Sequence, residues 1–163
     1  MSFCINKYFL HHNKTGGTFM IENIEFLQDI YQFSEMGYYS TNKMLNNIKP
    51  CKSKLKQVLY QEKKKYKEYK EKCEDLLDIY DTEVEKVNFF TKLGSGLEIN
   101  MKVSCEDLSF VPKILIKEIN DNILKINKKK KETKEKLDEK VSLVIENFVS
   151  FLKQEKEILK EYM

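Results

Sequence analysis

The chain has 163 residues, of which 41% are hydrophobic and 34% charged, so it is apolar enough to bury one core and is not a low-hydrophobicity disordered chain. It holds only five Gly and two Pro, a composition that favours long helices over a β-fold. The formal net charge is +3, and all 29 basic residues are Lys. A mildly basic surface of mixed charge that lacks Arg is not typical of nucleic-acid binding, so we expect no nucleic-acid partner.

Cysteine spacing and hydropathy indicate a reduced protein outside the membrane. The four cysteines, Cys4, Cys51, Cys73 and Cys105, form no C-x-x-C pair, which favours free thiols in a cytoplasmic protein. No apolar run approaches the roughly 20 residues of a membrane span, so we expect no stable membrane insertion.

Residues 1–19 differ from the rest of the chain, since they hold both histidines, two glycines and no helical periodicity. Two interpretations are open. The residues form a disordered tail, or they are a translated leader and Met20 is the true start, because Lys14–Gly17 can be encoded by a purine-rich ribosome-binding sequence. Under either interpretation residues 20–163 form a single domain.

Two helices with apolar seams are predicted over about Ile21–Ile48 and Cys51–Tyr80. Their seam residues recur at spacings of three and four, which places them on one side of each helix. Pro50 ends the first helix and suits the first position of the second, and so short a loop makes the two helices antiparallel neighbours. The seams are Ile24, Leu27, Tyr31, Ser34, Tyr38, Thr41, Leu45 and Ile48, followed by Leu55, Leu59, Glu62, Tyr66, Tyr69, Cys73, Leu76 and Tyr80.

Residues 81 to about 106 form a longer connection that contains Gly94 and Gly96. A connection of this length can travel the height of a bundle and let helices 2 and 3 run parallel. The predicted fold class is therefore all-α, a ferritin-like up-down four-helix bundle with a long crossover between helices 2 and 3.

Helices 3 and 4 are predicted from near Asp107 and from near Thr133 to about Tyr162. Pro112 falls in the first turn of helix 3, and the lysine run Lys128–Lys131 suits its C-terminus. No Gly or Pro separates the two helices, so one long helix is the alternative. The seams are Leu115, Ile119, Asn122 and Ile126, followed by Leu137, Val141, Val144, Phe148, Phe151, Glu155 and Ile158.

Carboxylates are the residues from which a site could be built. Glu62 and Glu155 lie on seams, and Glu35 and Glu118 lie at seam edges. A di-metal site in a ferritin-like bundle also uses two Glu-x-x-His motifs, and no histidine follows Ile21. An all-carboxylate site for iron or manganese is one interpretation, and it predicts that the four glutamates converge in the interior. Glutamates that pair with Lys or with a Tyr hydroxyl are the other interpretation.

The stretches that carry a family resemblance are Ile24–Tyr31, Glu35–Gly37, Tyr60–Tyr69, Phe89–Met101 and Gln154–Met163. Through them the chain resembles ferritin-like four-helix proteins of low-GC Gram-positive bacteria, distant relatives of rubrerythrins. The resemblance implies the fold and a di-metal ancestor with degenerate ligands. It departs from the family at Lys117–Asn122, where relatives tend to carry small residues, and in the missing histidines.

No motif for nucleophilic catalysis or for a phosphate loop is present, and no catalytic, cofactor-binding or metal-binding residue is assigned. The function that this favours is a non-enzymatic cytoplasmic bundle that acts through self-association or a protein partner. The alternative is a carboxylate-only protein that binds iron or manganese.

Overall fold

The computed structural model describes residues 14–48, 53–88, 91–92, 110–133 and 136–163. Four long helices lie in these ranges, and none of the described residues forms a strand. The helices are α1 (Lys14–Asn47), α2 (Ser53–Ile79), α3 (Phe110–Glu132) and α4 (Glu139–Lys160). The all-α prediction is confirmed. Within the described residues, no helix is both long enough and apolar enough to cross a membrane.

Most residues of the predicted seams lie in the core, and the buried stripes are wider than the seams. The seam residues that are only partly buried are Ile24, Tyr38, Leu76, Tyr80, Asn122 and Leu137. In α1 the stripe also includes Phe26, Ile30 and Met44, all fully buried, because a helix with neighbours on two sides buries more than a two-helix seam does. The end of the α4 seam was predicted wrongly. Ile158 is 38% exposed, and the neighbouring Leu159 is buried in its place.

Contacts between helices show their relative directions. In each contacting pair, residue numbers rise along one helix as they fall along the other, so the two helices are antiparallel. The pairs are Glu35 with Lys70 and Asn42 with Lys63 between α1 and α2, Asp29 with Lys129 and Ser40 with Glu118 between α1 and α3, and Tyr66 with Phe151 and Tyr69 with Phe148 between α2 and α4. Since α2 and α3 both run antiparallel to α1, they run parallel to each other. The predicted long crossover stays a prediction, because most of the connection lies outside the described residues.

An extended segment, residues 82–88, lies along α1 and is held there by side chains of that helix. The amide of Gln28 donates from Nε2 to the carbonyl of Glu83 at 2.7 Å and accepts the N–H of Glu85 at 2.8 Å. One turn further along α1, Gln32 donates to the carbonyl of Glu85 at 3.2 Å. Polar side chains of α1 thus form hydrogen bonds with the backbone of the segment, which has no partner strand to bond it. The segment runs toward the C-terminal end of α1.

The start of α1 and the start of α4 both differ from the predictions. The first helix begins at Lys14 rather than near Ile21, so residues 14–19 are helical. Residues 1–13 lie outside the described residues, and a true start at Met20 stays a prediction. The last helix begins at Glu139 and not near Thr133.

The late start of α4 has a local and a long-range cause, and both act on Asp138. Its side chain accepts the N–H of Lys140 at 2.8 Å and caps the helix, while its own N–H donates to the side chain of Asn23 at 2.9 Å. The alternative of one long helix is wrong, since α3 ends at Glu132 with lysines in its last turn, as predicted.

Candidate carboxylate site

Glutamates from three helices face a common interior region of the bundle. Glu62 of α2 is fully buried, Glu155 of α4 is 9% exposed, and both Glu155 and Glu118 of α3 act electrostatically on Glu62. The fourth helix contributes a hydroxyl, because the buried Ser40 of α1 donates from Oγ to Oε1 of Glu118 at 3.2 Å. Each of the four helices therefore supplies one oxygen-bearing side chain to this region.

Glu62 is the most unusual of these side chains, because neither of its carboxylate oxygens has a hydrogen-bond partner. The Tyr66 hydroxyl acts on it from one turn along α2 and favours its ionised form, but the contact does not reach the geometry of a regular hydrogen bond. Oε2 of Glu155 is buried and unpartnered as well. Carboxylates buried without partners cost several kcal/mol each, so the site is energetically unfavourable as an ionised cluster.

Burial changes the protonation of this cluster. Removal from water, together with the neighbouring Glu155 and Glu118, raises the pKa of Glu62 well above its usual value. Burial alone raises the pKa of Glu155 to about 7. Without a cation the interior therefore holds protonated carboxyl groups at mildly acidic pH.

Aromatic rings fix the position of Tyr66 beside the cluster. Its ring meets Phe151 of α4 edge to face, with the centroids 5.2 Å apart, and its other side lies against the backbone of α1 at Gly37. Burial and the adjacent Glu62 raise the pKa of Tyr66 strongly, so its hydroxyl stays protonated and remains a donor.

Glu35 does not belong to the cluster, and the prediction that all four glutamates converge is wrong for this residue. Its Oε1 lies 2.8 Å from Nζ of Lys92 and 3.9 Å from Nζ of Lys70, and its Oε2 accepts the N–H of Val87 at 2.7 Å. Burial alone would raise the pKa of Glu35, but the hydrogen bonds from Lys92 and Val87 outweigh it and lower the pKa. Glu35 instead fastens the extended segment to α1.

The donor set is chemically suited to a hard cation, although the side chains are not gathered around one point. Carboxylate oxygens are the ligands that Mg²⁺, Mn²⁺ and Ca²⁺ prefer. Among the described residues, however, no group of three or more His, Cys, Asp or Glu side chains is arranged to hold a metal ion. Ion binding therefore requires the glutamates to turn toward the ion.

The contribution of α1 to this region was missed in the sequence. Ser34, Gly37, Ser40 and Thr41 recur at helical spacing and are buried. Within this strip of small residues, Gly37 contacts Tyr66 of α2 and Ser40 contacts Glu118 of α3. This pattern can be recognised in the sequence, because small and polar residues at spacings of three and four on an otherwise apolar face indicate that another helix packs closely there. The seam prediction included Ser34 and Thr41 but assigned no site to them.

The cysteines do not form a second site in the described part of the chain. Cys73 is buried, and burial raises its pKa to about 12, so it is a small apolar core residue as expected. Cys4, Cys51 and Cys105 lie outside the described residues.

Fold and site together define an all-α four-helix protein with a carboxyl cluster in its interior. Comparison with known proteins adds no relative: no family model matches the chain, and no curated protein or solved structure is significantly similar to it.

Proposed function

We propose that this chain is a ferritin-like four-helix bundle that binds a hard divalent cation, such as Mn²⁺ or Fe²⁺, through Glu62, Glu118 and Glu155. The observation that carries the proposal is the fully buried Glu62 side chain, whose two oxygens have no hydrogen-bond partner. A bound cation would satisfy these oxygens and offset the electrostatic repulsion within the cluster.

The ferritin-like topology and the long crossover are part of this proposal. They are supported by two observations, namely that α2 and α3 both run antiparallel to α1 and that residues 82–88 advance along α1 from Gln28 toward Glu35. A chain that leaves α2 in this way travels toward the end of the bundle at which a parallel α3 has to begin.

Self-association or a protein partner, which the sequence favours, stays a second prediction, as does the cytoplasmic location. Tyr60, Leu124 and Leu143 are each more than half exposed, which supports a contact surface. Because they are distributed over three helices, they support this role less directly than Glu62 supports cation binding.

Metal content tests the proposal. We expect the untagged full-length chain, purified without a chelator, to contain iron or manganese, and the chelated protein to bind Mn²⁺ in a calorimetric titration. Glu62→Gln removes an essential charged ligand and should weaken Mn²⁺ binding roughly tenfold or more. Glu71→Gln is the matched control, because Glu71 lies on the same helix and its side chain is 57% exposed. Chelated wild-type protein that binds no Mn²⁺, Fe²⁺ or Mg²⁺ would contradict the proposal.

A further inference from the structure

The extended segment, residues 82–88, has one backbone edge that is hydrogen-bonded to α1. The groups that α1 bonds belong to alternate residues of the segment, namely the carbonyl of Glu83, the N–H and carbonyl of Glu85, and the N–H of Val87. This alternation is that of a β-strand, in which successive residues direct their backbone groups to opposite edges. The N–H and carbonyl groups of Val84 and Lys86 therefore point away from α1.

This second edge is open to a further strand. Among the described residues, none forms a hydrogen bond with the backbone of Val84 or Lys86. Lys86 and the neighbouring Glu85 are exposed, so the edge is accessible from outside. Unpaired N–H and C=O groups along an extended segment are a template for strand addition. We propose that an extended segment of another protein, in which basic and apolar residues alternate, binds residues 82–88 as a second strand.

The side chains of residues 82–88 select this charge pattern. Glu83 and Glu85 are both exposed, and because they are two residues apart in an extended chain they lie on the same face. Lysine or arginine directly opposite them forms two favourable cross-strand pairs. Val84, on the other face, packs against the core, so the partner residue opposite it also faces the protein and is apolar.

A second copy of this chain fits the edge less well, because two identical segments bring like charges together. Two antiparallel copies that overlap along most of their length pair through a symmetry axis at Val84, Glu85 or Lys86. These registers place, respectively, Glu83 opposite Glu85, Glu85 opposite its copy, and Lys86 opposite its copy. Like charges directly opposite each other destabilise a strand pair, so a basic partner is favoured over self-pairing.

Nuclear magnetic resonance of the ¹⁵N-labelled full-length protein, titrated with a short peptide that alternates lysine and valine, tests the proposal. We expect the amide signals of Val84 and Lys86 to shift and their hydrogen exchange to slow roughly tenfold or more, because their N–H groups become bonded. The N–H groups of Glu85 and Val87 already bond α1 and should change less. A peptide that alternates glutamate and valine should bind roughly tenfold more weakly.

Two variants at Lys86 separate the backbone from the side chain. Lys86→Pro removes the outward N–H, and its ring obstructs the edge, while the bonds of Glu85 and Val87 to α1 do not involve this residue. The lysine peptide should therefore bind it roughly tenfold more weakly or not at all. Lys86→Ala keeps the N–H and should bind this peptide at least as tightly as wild type.

Charge reversal tests the selectivity for a basic partner. The double variant Glu83→Lys and Glu85→Lys should prefer the glutamate peptide. The control double variant, Glu71→Lys and Glu157→Lys, changes the net charge equally at two positions that are 57% and 67% exposed, and it should keep the preference for lysine.

Three results would overturn the proposal. They are no binding of the lysine peptide to the wild-type protein, equally tight binding of both peptides, and undiminished binding to a Lys86→Pro variant that has wild-type circular dichroism. None of these measurements involves a cation, so each leaves the proposed function intact.

Discussion

At the residue scale, Gly37 of α1 contacts the Tyr66 ring of α2 so closely that no space is left for a Cβ. The glycine lies inside a helix, where it is less favourable than Ala by about 1 kcal/mol. Its presence is explained by the large aromatic side chain that it admits beside Glu62. One small residue thus determines where the Tyr66 ring lies beside Glu62.

Gly37→Ala should lower the free energy of unfolding by about 1–3 kcal/mol, because the Tyr66 ring has to move and loses its contact with Phe151. Gly17→Ala is the control, since a Cβ there meets no atom within 4 Å and the change adds only helix propensity. Urea unfolding of both variants measures the difference. Equal stability of the two variants would show that the Tyr66 ring tolerates the added methyl group.

At the element scale, the end of α2 shows how the chain leaves a helix without glycine. The N–H of Thr82 donates to the carbonyl of Leu77, and the N–H of Asp81 donates to that of Asp78, both at 3.0 Å. This is the Schellman pattern of helix C-termini, and it places Asp81 in the left-handed region with φ 51°. The turn directs the chain onto α1, where Gln28 binds the extended segment.

Asp81→Gly should raise the free energy of unfolding by roughly 0.5–1 kcal/mol, because glycine adopts a positive φ without a Cβ clash. Asp78→Gly, within α2, should instead lower the free energy of unfolding by about 1 kcal/mol, since glycine disfavours a helix. Chemical denaturation of the two variants gives the comparison. A loss of stability in Asp81→Gly would mean that the Asp81 side chain itself stabilises the turn.

At the scale of the whole molecule, the carboxyl cluster makes stability depend on pH. Glu62 and Glu155 have pKa values raised above those of the unfolded chain, so the folded protein holds protons that the unfolded chain releases. Their contribution is present below the unfolded pKa of about 4.5 and is lost as pH rises through the folded values. Glu35 acts in the opposite sense, but only at lower pH, because its pKa is lowered.

The metal-free protein should therefore become less stable between about pH 5 and pH 8, by on the order of 2–3 kcal/mol from Glu155 alone. Thermal unfolding in the presence of a chelator, followed across this range, measures the effect. The double variant Glu62→Gln and Glu155→Gln should be nearly independent of pH there, while Glu157→Gln should behave as wild type. Metal-free wild-type protein that gains stability toward pH 8 would refute the assignment of the cluster.

The sequence by itself determined the four helices and most of their buried faces, because both depend on local properties. Three-four periodicity places Leu27, Leu59 and Phe148 on buried faces whatever the neighbouring helix is. Pro112 acts through its own backbone in the first turn of α3, and the lysines in the last turn act through the helix dipole. Both effects are local, so both ends of the helix could be predicted from the sequence.

The tertiary structure alone decided which of these faces meet and what each glutamate does. Periodicity put Glu35 and Glu118 at equivalent seam edges, yet Glu35 meets Lys92 and the N–H of Val87, whereas Glu118 meets Ser40. These partners lie 52 to 78 residues away in the chain, so their approach depends on the direction and rotation of other elements. A helical pattern specifies the face on which a side chain lies, but the group opposite that face is supplied by distant parts of the chain.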